Sequence, residues 1–151
     1  MAEVRKRPGL LRCEKGAQLV EFALVLPLLL LVVLAIADFG FMFQRYEVIT
    51  NAAREGARIA VLPGYTDADV QERVTNYLDA GRVPAAGRMP TVIANVPVVL
   101  AGGTTVPTKR VTVTYSYTYQ FIIGIAGWFN ASYSTQQLSA VSQMRVEVPG
   151  S

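Results

Sequence analysis

The residue in this chain best placed to do chemistry is a lone carboxylate at the head of a long apolar run. Glu21 follows Ala17-Gln18-Leu19-Val20 and precedes Phe22, from which the chain is almost wholly apolar to Phe43, with Asp38 the one charge inside. A carboxylate at the mouth of such a run is costly in a bilayer and is usually paired or functional. Upstream, a basic tail ends in Gly16. Glycine has no side chain and fits the extended, crowded geometry that a peptidase imposes on a backbone. A secretory signal peptidase cuts after an apolar run of about 7–15 residues. Here the glycine precedes the run, so a cut beside it leaves the apolar segment on the product.

The remaining composition removes most other chemistry. The chain has no histidine, which takes away the commonest general base and transition-metal ligand. Cys13 is its single cysteine, so neither an intrachain disulfide nor a cysteine metal cluster can form. No nucleophile–base pairing and no phosphate loop are visible. The expectation is a protein that is not an enzyme, needs no cofactor or metal and takes no small-molecule substrate. The net charge of +3 suggests nucleic acid until it is located. Arg5, Lys6, Arg7, Arg12 and Lys15 against Glu3 and Glu14 put all of it in residues 1–16, and residues 17–151 are neutral. A short basic tail before an apolar run reads as a cytoplasmic anchor, and no basic stripe recurs downstream to bind nucleic acid.

The elements that position these residues follow from periodicity. Phe22–Phe43 is long enough to cross a hydrocarbon core of about 30 Å, with Asp38 at the outer edge of the membrane or, less favoured, against a partner. Pro27 removes one backbone hydrogen bond and predicts a kink. Tyr46–Leu62 continues the helix, and a helix over 17–62 is about 69 Å long. Along it Ala52, Ala53, Gly56, Ala57 and Ala60 form a face of small residues that lets another backbone approach closely. Glu55 and Arg58 are spaced to pair, and Pro63-Gly64 ends the helix. A second helix is predicted over 66–80, opened by a capping box of Thr66 and Asp69, with Val70, Val74, Tyr77 and Leu78 on one face and Gly81 as its stop. After a Gly/Pro loop the chain alternates like strand: Val92–Leu100, an edge segment because of Pro97; Val111–Tyr119, the cleanest period of two; and Leu138–Val148. The fold class expected is α+β: a long transmembrane helix, then a domain over 63–151 with a short helix packed on a small antiparallel sheet.

The N-terminal order of parts resembles the class III leader of prepilins and pseudopilins, which a membrane aspartyl prepilin peptidase removes. Gly16 matches the residue before the cut, Ala17 the new N-terminus and Glu21 the fifth mature residue. The cut would place a new ammonium at Ala17, four positions before Glu21, able to satisfy that carboxylate in the same chain or on a neighbour. Ala17-Gln18-Leu19-Val20-Glu21-Phe22-Ala23-Leu24-Val25-Leu26-Pro27 resembles the opening of the TadE-like family, and Asn51-Ala52-Ala53-Arg54-Glu55-Gly56-Ala57-Arg58 its second characteristic stretch. The resemblance implies a minor pseudopilin of a Tad (Flp pilus) system, acting in pilus biogenesis and adherence. It would sit in the bacterial inner membrane with a cytoplasmic N-terminus and an extracytoplasmic domain, with the prepilin peptidase, the platform proteins and ATPase, and other pilins as partners. The alternative is an unprocessed single-pass adaptor or receptor with an outer ligand-binding domain. Two further features stay open. Phe121–Phe129 is an apolar loop, read as a buried segment ahead of a contact patch for a subunit or the membrane. Tyr115, Tyr117 and Tyr119 read as the core face of a strand ahead of a stacking platform.

Overall fold

The computed structural model describes residues 13–121 and 135–146. The leader up to Arg12, all of the apolar loop beyond Phe121, and Glu147 with Val148 lie outside the described residues. The order of elements is α1 (Cys13–Ala60), α2 (Asp67–Ala80), β1 (Val92–Asn95), β2 (Val98–Val99), β3 (Thr105–Val106), β4 (Thr108–Thr118) and β5 (Thr135–Arg145). The class is α+β, with a long apolar helix, a short second helix and a small antiparallel sheet.

Helix α1 is 48 residues and about 72 Å long. It begins at Cys13, so it runs unbroken through the Gly16–Ala17 junction, and Pro27 lies inside it. It stops two residues short of the predicted Leu62. The amide of Leu62 donates to the carbonyl of Ile59 at 3.0 Å, closing a last turn before Pro63. Gly64 then takes φ +89°, which only glycine adopts without strain.

The two halves of α1 live in different surroundings. Residues 16–30 are exposed, and Asp38 is the first buried side chain. From Ile49 onward one face is buried. Small residues explain how. A side chain added at Gly56 would lie 2.6 Å from Cγ2 of Val74 and 3.2 Å from Cγ1 of Val111, so α2 and β4 both pack onto the bare backbone there.

Helix α2 opens as its sequence requires. Thr66 accepts from the amide of Asp69, and the Asp69 carboxylate accepts the amide of Thr66 at 2.7 Å. The Thr66 hydroxyl also donates to that carboxylate at 2.7 Å, and this bond, with the Thr66 amide adding to it, holds the Asp69 carboxyl below its ordinary range. Val70, Val74 and Leu78 are buried against α1 while Tyr77 sits half-out at the rim of that face. Gly81 caps the helix, but not for conformational freedom: its φ is −78°. A side chain there would strike Val48 at 2.4 Å, so close approach to α1 is what requires glycine. The left-handed residue is the next one, Arg82, at φ +53°. Arg45 reaches across from α1 and donates to the carbonyls of both Gly81 and Arg82, a cation on the negative end of α2.

The main sheet has the order β1-β4-β5, all antiparallel. Val111, Val113, Tyr115 and Tyr117 of β4 are buried, while Thr112, Thr114 and Ser116 face outward and are half-exposed. The β5 register places Ala140 beside Val113 and Leu138 beside Tyr115, both on the core side. All three predicted strands change their bounds, and Val111–Tyr119 becomes Thr108–Thr118. Val92–Leu100 breaks at Val96-Pro97 into β1, an edge strand as Pro97 implies, and β2, which leaves the sheet to pair with β3. Leu138–Val148 becomes Thr135–Arg145, because the pairing partner β4 extends to Thr118, opposite Thr135.

Candidate functional site

The two residues of the expected junction stand at the free end of α1. Gly16 and Ala17 are exposed, and a side chain added at Gly16 would meet nothing within 4 Å. No packing within the described chain therefore calls for a glycine at position 16, although glycine weakens a helix interior by about 1 kcal/mol relative to alanine. Glu21 is exposed one turn later, on the same unpacked stretch. The geometry leaves both the junction and the carboxylate open to another molecule.

The small-residue face has the opposite fate. Ala52, Ala53, Ala57 and Ala60 are 0–3% exposed, Gly56 is buried with them, and the face is covered by the chain's own α2 and β4. It serves the fold of this subunit and is not presented to a neighbour. Glu55 borders it and joins the two helices. Its carboxylate accepts from Arg58 at 2.8 Å, and from Arg73 of α2 at 2.9 Å. The Arg58 bonds, with Arg73 adding to them, hold the Glu55 carboxyl down at about 2. The spacing announced Arg58; Arg73 comes from a different helix and had no local signal.

Asp38 is fully buried within its own chain, at the point where the free apolar helix meets the domain. Its Oδ1 accepts the amide of Gln120 at 3.1 Å, and its Oδ2 the amide of Phe121 at 3.0 Å. The Tyr117 hydroxyl donates to the Asp38 carbonyl at 3.2 Å. Gln120 and Phe121 lie just past β4, where amides lose their ladder partners and need others. Buried charge is tolerated when it is hydrogen-bonded in this way. Burial, and then the negative charge of Asp38, push the Tyr117 phenol above its ordinary range. Around this latch the aromatic rings interlock: Phe39 on Tyr119, Tyr119 on Tyr117, and Phe41 on Phe121. The tyrosines of β4 are thus core and latch residues.

The latch fixes where the free helix ends. Ala17 to Ala37 has no buried side chain. Those residues span about 31 Å at 1.5 Å each, the thickness of a hydrocarbon core. The helix is therefore long and apolar enough to cross a membrane and stands clear of the domain where it would do so. The expected span 22–43 overlaps the domain over its last six residues.

No curated protein and no solved structure matches the chain. A family comparison does find a match, and it falls on the parts described above: the junction, the free helix, the latch aspartate and the buried small-residue face. Residues 16–58 match the family model described as TadE-like protein, so this segment of the chain is similar to that family.

Proposed function

We propose that this chain is a minor pseudopilin-like subunit of a Tad/Flp-type pilus assembly or secretion system, cut by a prepilin peptidase between Gly16 and Ala17. It is a substrate of that enzyme and not itself a catalyst. The observation that carries the reading is the TadE-like match, which begins at Gly16 itself. The geometry supports it. Gly16 packs against nothing, so its side-chain-free backbone suits an outside reader, and Glu21 stands ready for an ammonium at Ala17 or on an adjacent subunit. The basic leader stays on the cytoplasmic side of the inner membrane, the free helix crosses it, and the α+β domain stands outside. The platform and ATPase of the system then handle the neutral product, which joins other pilins through its helix.

The test is the intact mass of the chain extracted from membranes of cells with and without active prepilin peptidase. A mass corresponding to residues 17–151 is expected in the first and the full chain in the second. An N-terminus other than Ala17 in cells with the active enzyme overturns the reading.

A further inference from the structure

A cleft of about 430 Å³ opens between α1, the loop after α2 and the end of β4. Phe41 and Phe121 form an apolar lip with ring centroids 6.3 Å apart. Ser116, Thr118 and Gln120 line the opposite wall with polar groups, and Arg45 is the one charged side chain among the lining residues. Both bonds that Arg45 makes to the carbonyls of Gly81 and Arg82 use Nη1, which leaves Nε and Nη2 as donors. Among the described residues, no carboxylate lines the cleft. Such a site favours an anion bound through charge-assisted hydrogen bonds.

Its height above the bilayer identifies which anion. If the hydrocarbon core ends near Ala37, Phe41 stands about 6 Å beyond it along the helix axis. The headgroup layer is about 5–8 Å deep on each side. Arg45 stems from about 12 Å beyond Ala37 along the axis, and helical side chains lean toward the helix N-terminus, back toward that layer. Phe39, Phe43 and Tyr46 are also exposed at this level, as aromatic residues are at membrane interfaces.

We infer that the cleft takes the headgroup of an anionic phospholipid from the surrounding leaflet, with the phosphate on Arg45, the polar headgroup on Ser116, Thr118 and Gln120, and the start of the acyl chains against Phe41 and Phe121. The bound lipid seats the domain at a fixed height on the bilayer. The inference rests on the membrane-anchored reading of α1.

The full-length chain is reconstituted into nanodiscs of phosphatidylcholine, with or without one-third phosphatidylglycerol, then extracted gently and weighed by native mass spectrometry. Arg45→Gln removes the cation. Thr118→Glu puts a negative charge in the cleft and leaves the Arg45 carbonyl bonds intact. The basic leader holds anionic lipid equally in every variant, so the reading lies in the difference between variants. The wild type is expected to keep one more phosphatidylglycerol per chain than either variant, and Arg45→Lys to recover part of the loss. The same number of phosphatidylglycerols on wild type and on both variants overturns the inference, as does a cleft-dependent retention of phosphatidylcholine equal to that of phosphatidylglycerol. Failure of the chain to enter nanodiscs at all instead overturns the anchored reading, and with it this inference.

Discussion

Asp38 and Glu55 are two carboxylates on one helix with different work. Asp38 is buried and binds two backbone amides, so its replacement leaves donors stranded. Asp38→Asn keeps the shape but turns an amide group toward one of those N–H groups. An unsatisfied buried donor costs about 1–3 kcal/mol, so the variant should unfold at lower temperature. Faster hydrogen exchange at Gln120 and Phe121 would localise the loss. Glu55 is 19% exposed, and its partners Arg58 and Arg73 are 59% and 52% exposed. Solvent screens such pairs, and about 1 kcal/mol is a fair total for the two. The Glu55 carboxyl is lowered in the folded chain from 4.5 to about 2. Its contribution is therefore complete above pH 4.5 and fades as the pH falls toward 2. Thermal unfolding of wild type and Glu55→Gln should differ by about that amount at pH 7 and converge only as the pH falls to about 2.

Glycines separate what each half of α1 is for. Gly56 lies where α2 and β4 both touch the helix, and even a methyl group would displace Val74. Overpacking of this kind costs about 1–3 kcal/mol, so Gly56→Ala should lower the unfolding midpoint. Gly16 meets open space, and Gly16→Ala should leave that midpoint unchanged or raise helix stability by up to about 1 kcal/mol. Under the proposed function the bulkier Gly16→Val abolishes processing while the domain stays folded, which intact mass and circular dichroism read together. A Gly16→Val chain still trimmed at Ala17 would contradict the peptidase's need for glycine there. The sheet shows the same division. Strand β4 is central and carries the buried valines and tyrosines, while β1 is a short edge segment ended by Pro97, which cannot donate to a ladder.

At the scale of the whole molecule, the proposed cut would change charge and thiol content together. The leader holds the whole net charge of +3 and Cys13, the single cysteine of the chain. The product of a cut at Gly16–Ala17 is neutral and has no thiol. A maleimide carrying polyethylene glycol should therefore shift the unprocessed chain on a denaturing gel and leave the processed chain unshifted. Labelling that persists in cells with active peptidase would show that the leader is retained. Because α1 is continuous from Cys13 to Ala60, and the domain grips it from Asp38 onward, force applied to the free helix reaches the domain through one rigid element and the Asp38 latch.

Sequence alone determined what depends on neighbours along the chain. Apolar length marked the free helix, the Thr66–Asp69 spacing marked the start of α2, and the alternation in β4 marked its buried face. The order of tail, glycine, carboxylate and apolar run pointed to the TadE-like segment. Tertiary structure decided what depends on partners far away in sequence. The small-residue face reads the same whether it meets a second subunit or its own α2, because local spacing records how closely a backbone can approach and not which one does. Asp38 in an apolar run reads as a boundary, but its partners, the amides of Gln120 and Phe121, lie 82 and 83 residues away and only folding brings them to it. Arg73 on Glu55, and the cleft beneath Arg45, arise in the same way, from elements that only folding places side by side.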